Sequence, residues 1–174
     1  DVRIEHSSGN LTDHYDPRTK VVRLSDATYN STSVAALGVA AHECGHAVQH
    51  ATGYVPLKIR GSLVPVANFG SSIAWPLIIL GLFFNGRSSA MFINFGILAF
   101  SLAVLFQIVT LPVEFNASNR ALKILGNSGM LYESEVKDTR KVLTAAALTY
   151  VAGAASAILQ LLRILLLTNN RRND

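Results

Sequence analysis

Apolar positions along this 174-residue chain fall into two regimes. Residues 1–25 alternate apolar and polar positions in short runs, whereas from Ser33 onward the apolar residues gather into long blocks. In the first regime Val2-Arg-Ile-Glu-His6 and Lys20-Val-Val-Arg-Leu24 carry the two-residue period of strands, with turn signals at Ser8-Gly-Asn10 and Asp16-Pro-Arg18. Leu11 to Tyr15 is a candidate middle strand, so a small antiparallel sheet is expected at the N-terminal end. The run Val34 to Val48 that follows has helical length, with N-caps on offer at Asn30 to Ser33 and a stop at Gly53.

Three later blocks are longer. Leu63 to Phe84 and Ser89 to Leu111 are uncharged apart from their flanks, and each supplies the roughly 20 residues that a bilayer crossing requires. Val142 to Leu167 is a third span, interrupted by Gln160 and by Arg163, which lies near enough to the end to snorkel. Three buried helices of a soluble protein are the competing reading, but this chain has too little amphipathic material to cover helices that are apolar all round. Polar residues inside the spans (Asn68, Asn94, Gln107, Gln160) read as interhelical hydrogen-bond partners. Only Asn85, Gly86, Arg87 and Ser88 separate the first two spans, which predicts a helical hairpin that returns the chain to the side it left. The expected fold is mainly α and integral to the membrane: three transmembrane helices, the helix that begins at Val34 and the small antiparallel sheet. One unit is expected, with the sheet and first helix in 1–62, the hairpin in 63–111, a further helix and amphipathic connector in 112–141, and the third span in 142–167.

Composition sharpens this picture. Half of the residues are hydrophobic and 15% are charged, as suits a chain that lives largely in lipid. Basic residues cluster on one side of the predicted spans: Arg3, Arg18, Lys20, Arg23, Lys58 and Arg60 before the first, and Arg120, Lys123, Lys137, Arg140 and Lys141 before the third. The other side has Arg87, Arg171 and Arg172. Positive residues face inward, which puts the first group at the cytoplasmic face of a cell membrane and explains the net charge of +4. Nucleic-acid binding would need a basic patch interleaved with aromatics, and none is visible. The single cysteine, Cys44, excludes an internal disulfide. The chain opens without Met or a signal peptide, so it is expected to begin inside something longer or after processing.

The candidate chemistry lies in the first helix, where His42-Glu-Cys-Gly-His46 matches the zinc-hydrolase spacing. Residues four apart share a helix face, so both imidazoles can reach one metal. Glu43 is a step round the helix, close enough to serve as general base but turned from direct ligation. Cys44, about 200° from His42, should face the core, and Gly45 beside it should permit close packing. His50 continues the stripe but lies about 12 Å beyond His42, too far to share the ion. Gln49 and Thr52 stand where the short metzincin pattern needs Gly and His, so a third ligand must come from elsewhere. Glu114 stands out in the predicted helix Pro112 to Leu125, which has Pro in its first turn and Gly126 just past its end. A first-turn carboxylate is often only a partner of the helix dipole. Interleaved Asn116, Ser118 and Arg120 favour instead a buried carboxylate held by polar neighbours, and the hairpin topology returns Glu114 to the side of His42 and His46.

Through Ala41-His-Glu-Cys-Gly-His-Ala-Val-Gln49 and Leu111-Pro-Val-Glu-Phe-Asn-Ala-Ser118 the chain resembles the YugP-like bacterial membrane zinc metallopeptidases. The likeness extends to Gly9-Asn-Leu-Thr-Asp-His-Tyr-Asp-Pro-Arg18 and to the apolar spans. More distantly it is similar to gluzincin membrane proteases that cleave prenylated or misfolded membrane proteins. The resemblance implies zinc as cofactor, His42, His46 and Glu114 as its ligands, Glu43 as general base, and an additional N-terminal membrane helix. The distant relatives carry Asp four residues after the liganding Glu where this chain has Ser118, which leaves Asn116 or Arg120 to support the ligands.

The expected activity is hydrolysis of peptide bonds in membrane-proximal peptides or membrane proteins, in a bacterial cell membrane, with a membrane-protein partner or a second copy as possible company. An oxyanion donor is also needed: Tyr150 is the first candidate, with Arg120 and His14 behind it. A zinc-holding scaffold or adaptor is the alternative; it would have no use for Glu43 as a base. A channel is disfavoured, because the polar residues of the spans form no charged path.

Overall fold

A computed structural model of the chain describes residues 1–84 and 86–173; Asn85 of the predicted hairpin, and the side chains of Arg171 and Arg172 counted above, lie outside the described residues. The elements run β1 (Arg3–His6), β2 (His14–Asp16), β3 (Val21–Leu24), α1 (Asp26–Tyr29), α2 (Val34–Ala51), α3 (Val55–Phe83), α4 (Gly86–Ser128) and α5 (Glu133–Asn173).

The sheet is mixed rather than antiparallel, with strand order β1-β3-β2. β1 runs parallel to β3, pairing Arg3 with Val21, and β2 runs antiparallel to it, pairing Tyr15 with Val22. The predicted middle strand Leu11 to Tyr15 therefore becomes an edge, and β3 is central. Burial explains the choice: Val21 and Val22 are at most 1% exposed, while Leu11 is 94% exposed. Leu11 also takes a left-handed φ of 59°, which no strand accommodates. Asp13 closes that loop, accepting hydrogen bonds from the backbone N and the Oγ of Ser25, each 2.8 Å.

α2 has the predicted boundaries. Ser33 Oγ accepts from Ala36 N at 3.2 Å, and past the C-cap Thr52, Gly53 turns the chain at φ +66°. The other long helices merge segments expected to be separate. Pro112 does not open a helix but lies inside α4, as Pro65 and Pro76 lie inside α3. A proline forfeits one backbone bond and crowds the preceding turn. Apolar helix-forming sequence on both sides carries the ladder past it. Gly126 is likewise interior, and the stop is Gly129 at φ +71°. The connector and the third span fuse into α5, whose first turn is held by Tyr132 N donating to Glu135 Oε2 at 2.8 Å.

Two compact units result: Asp1–Leu57 with Pro112–Thr149, and Lys58–Leu111 with Tyr150–Asp174. In the first, Ala41, Ala121, Leu122, Leu125 and Leu143 form the core, with Leu131 and Val136 packed against it. α2 approaches its neighbours through glycines: a Cβ on Gly45 would sit 2.5 Å from the carbonyl oxygen of Ala117, and one on Gly38 would sit 2.9 Å from Cγ2 of Thr139. In the second, α3 and α4 approach as closely, since a Cβ on Gly70 would lie 2.6 Å from Ala99 O and one on Gly96 2.9 Å from Ala74 O. Among the described residues, three helices are long and apolar enough to cross a membrane: Val55–Phe83, Gly86–Ser128 and Glu133–Asn169. Only 22%, 22% and 11% of their most apolar windows are buried in protein, so most of that surface requires an apolar solvent.

Gly45→Ala is expected to lower stability by about 1–3 kcal/mol through this backbone clash. Gly61→Ala, where nothing lies within 4 Å, should leave it unchanged or raise it slightly. Thermal unfolding of the two variants in detergent checks the contrast.

Candidate metal centre

His42 and His46 project from one face of α2, their ring centroids 4.7 Å apart and their planes nearly perpendicular at 87°. α4 brings Glu114 against them. Its Oε2 lies 3.1 Å from His42 Nε2 and 3.6 Å from His46 Nε2, and one ligand atom from each of the three residues falls within 4.8 Å of the others. The two carboxylate separations match the about 3 to 4 Å expected between ligand atoms around one tetrahedral ion. Glu114 is 2% exposed, so this convergence is a feature of the packed interior.

The outward nitrogens of the rings are held as well. His42 Nδ1 lies 3.1 Å from Ser118 Oγ, and His46 Nδ1 lies 3.0 Å from Gln49 Oε1. Behind Gln49 the bonds continue: its Nε2 donates to Val113 O at 2.8 Å and to Asn116 Oδ1 at 3.0 Å, and Arg120 Nε donates to the same Asn116 Oδ1 at 2.8 Å. The Arg120 guanidinium also lies 6.0 Å from the ring centre of Tyr54. Asn116 and Arg120 therefore support the site one and two places removed, whereas Ser118 and Gln49 make the direct contacts. Sequence reasoning passed over Gln49, although an amide three residues after His46 on an otherwise apolar helix was the available signal. A cavity of about 100 Å³ opens beside Ser118, lined also by Phe115, Leu122 and Arg140, whereas Gln49 is fully buried.

Burial raises the Glu43 pKa; the charges of His46 and His42 oppose that shift, and those of Glu114 and Asp13 reinforce it. No hydrogen bond holds its carboxylate among the described residues, so both oxygens remain available for a proton. For His46, burial pushes the pKa down, but the hydrogen bond and charge of Glu114, the charge of Glu43 and the Gln49 bond outweigh it, and the net shift is upward. The Cys44 thiol is pushed up by burial and then by the charge of Glu43. It is absent from the ligand cluster, as expected. His50 is exposed and bonded to Tyr15, with 2.8 Å between Nδ1 and the hydroxyl. His14 is exposed, with Nδ1 2.7 Å from Thr12 O. Tyr150 lies on α5, is 37% exposed, and belongs to the second unit.

Two imidazole nitrogens and a carboxylate oxygen are a donor set suited to zinc, with a fourth position left for water. Comparison with known proteins agrees. A family model described as "Putative neutral zinc metallopeptidase" matches residues 1–169. The chain belongs to that family. The "Putative membrane protease YugP" of Bacillus subtilis (strain 168) is 48% identical over 174 residues, which cover all of this chain and 76% of the relative. No solved structure matches the chain. The three clustered residues are the metal-binding candidates, since they form a group of ligand type drawn from both α2 and α4.

Proposed function

We propose that this family member is a zinc-dependent membrane endopeptidase in which His42, His46 and Glu114 hold the ion and Glu43 is the general base. The observation that carries the proposal is the convergence of Glu114 on the two signature histidines, at 3.1 and 3.6 Å, from a separate helix. When bound, zinc supplies Lewis acidity toward the scissile carbonyl and makes water more acidic. The chain's own residues do the rest. Glu43, poised by burial toward a higher pKa, takes a proton from the attacking water and returns it to the leaving amine. Ser118 and Gln49 orient the imidazoles.

The substrate class follows from the surroundings. β2 is an edge strand that packs on α2, and an edge strand is the kind of element on which an extended peptide can pair. Three apolar helices in the same short chain confine the enzyme to the bilayer, which favours membrane proteins and membrane-proximal segments as substrates. The bias of basic residues toward the segments that carry the signature supports a cytoplasmic active site in a bacterial cell membrane.

Elemental analysis of the purified protein is expected to find one zinc per chain, lost in His46→Ala and in Glu114→Ala. Glu43→Gln should retain the zinc and lower kcat on an unfolded or membrane-protein substrate by about 10²–10⁴-fold. Unchanged turnover in that variant would refute the mechanism, and zinc binding without any cleavage by the unmodified chain would leave a scaffold. Alkaline phosphatase inserted at Arg87 is expected to be active, and at Gly129 inactive; the reverse pattern would overturn the orientation.

A further inference from the structure

We propose that Gln49, Asn116 and Arg120 form a hydrogen-bond relay of fixed polarity that locks His46 in the tautomer with its proton on Nδ1, and so sets the affinity of the site for its metal. The proposal rests on the reading of His42, His46 and Glu114 as ligands, and it concerns positioning residues that touch neither metal nor substrate.

Both ends of the relay are groups with a single possible role. Arg120 can only donate, so Asn116 must turn its carbonyl oxygen toward it, 2.8 Å away. The same oxygen faces Gln49 at 3.0 Å and is therefore an acceptor there. Val113 O, 2.8 Å from Gln49, is a backbone carbonyl and can only accept. Two acceptors at once require the NH₂ end of the Gln49 amide. Its carbonyl oxygen is then left to face His46 Nδ1 at 3.0 Å, and that nitrogen must carry the hydrogen. The lone pair of His46 consequently lies on Nε2, the nitrogen that points at Glu114. Gln49 is 0% exposed, so water cannot substitute for a lost partner at low cost.

His42 has no such constraint. Its Nδ1 meets a serine hydroxyl, which accepts or donates with equal ease, beside a cavity of about 100 Å³. The relay is therefore specific to one ligand, and its effect should appear in metal affinity and in the state of one ring.

The test uses the full chain in detergent, with zinc affinity measured by competition against a chelator and ring states read by NMR of ¹⁵N-histidine in the zinc-loaded protein. In the unmodified protein His46 should show a protonated Nδ1, slow to exchange with solvent, and a metal-bound Nε2. Gln49→Leu should weaken zinc binding by about 10–100-fold, and Asn116→Leu should weaken it by a smaller factor. Gln49→Glu keeps an acceptor for Nδ1 but sets a carboxylate against Val113 O, so it should lose thermal stability while holding zinc within about threefold of the unmodified chain. A merely structural role predicts that affinity falls with stability in all three.

Zinc bound through Nδ1 of His46 in the unmodified protein overturns the proposal without reference to any variant. Folded Gln49→Leu that binds zinc as tightly as the parent also overturns it, provided His46→Ala abolishes binding. If His46→Ala leaves zinc binding unchanged, the ligand assignment itself has failed, and the relay fails with it.

Discussion

A carboxylate withdrawn from water and set against two imidazoles is the interaction on which the rest of the structure depends. An isolated buried carboxylate is costly, and the histidines of α2 beside Glu114 offset that cost. Imidazoles so placed either share protons with the carboxylate or turn lone pairs toward a cation, and both states need the same convergence. Capping fixes where α2 begins and ends, and the packed core beneath Ala41 fixes its distance from α4. The clustering of these three ligand-type side chains is a property of the protein interior, formed by the same packing that stabilises the unit.

The surroundings of the two histidines differ in kind. His46 backs onto an amide with no solvent exposure, whose own partners are a main-chain carbonyl and an asparagine pinned by arginine. His42 backs onto one hydroxyl next to open space. The partner of His46 has a fixed polarity, whereas the hydroxyl that meets His42 can donate or accept.

Much of this was legible from residue order. Strong caps at Ser33 and Gly53 gave the boundaries of α2, and uninterrupted apolar runs gave the three spans. Glu114 was visible because a carboxylate among apolar and amide residues needs a reason. What stayed hidden depended on partners remote in sequence. The central place of β3 follows from burial of Val21 and Val22, which alternation alone does not rank. Helix continuity through Pro112 reflects neighbouring turns outvoting a local breaker. Ser118 could be named as the partner of His42 only once α2 and α4 were side by side, because no spacing rule links residues 76 apart, whereas Gln49 lies one helical turn from His46 and its spacing was readable.

The zinc signature leaves two letters unspecified, and this fold has dictated one of them for reasons unrelated to chemistry. At Gly45 the obstacle is the carbonyl oxygen of Ala117, an atom common to every amino acid. No exchange of side chain at residue 117 could therefore make room for a larger residue at 45. Drift at this letter has no local remedy: only displacing α4 would help, and that would carry Glu114 away from its histidines. Residue 45 is thus tied, through the backbone of α4, to the placement of Glu114.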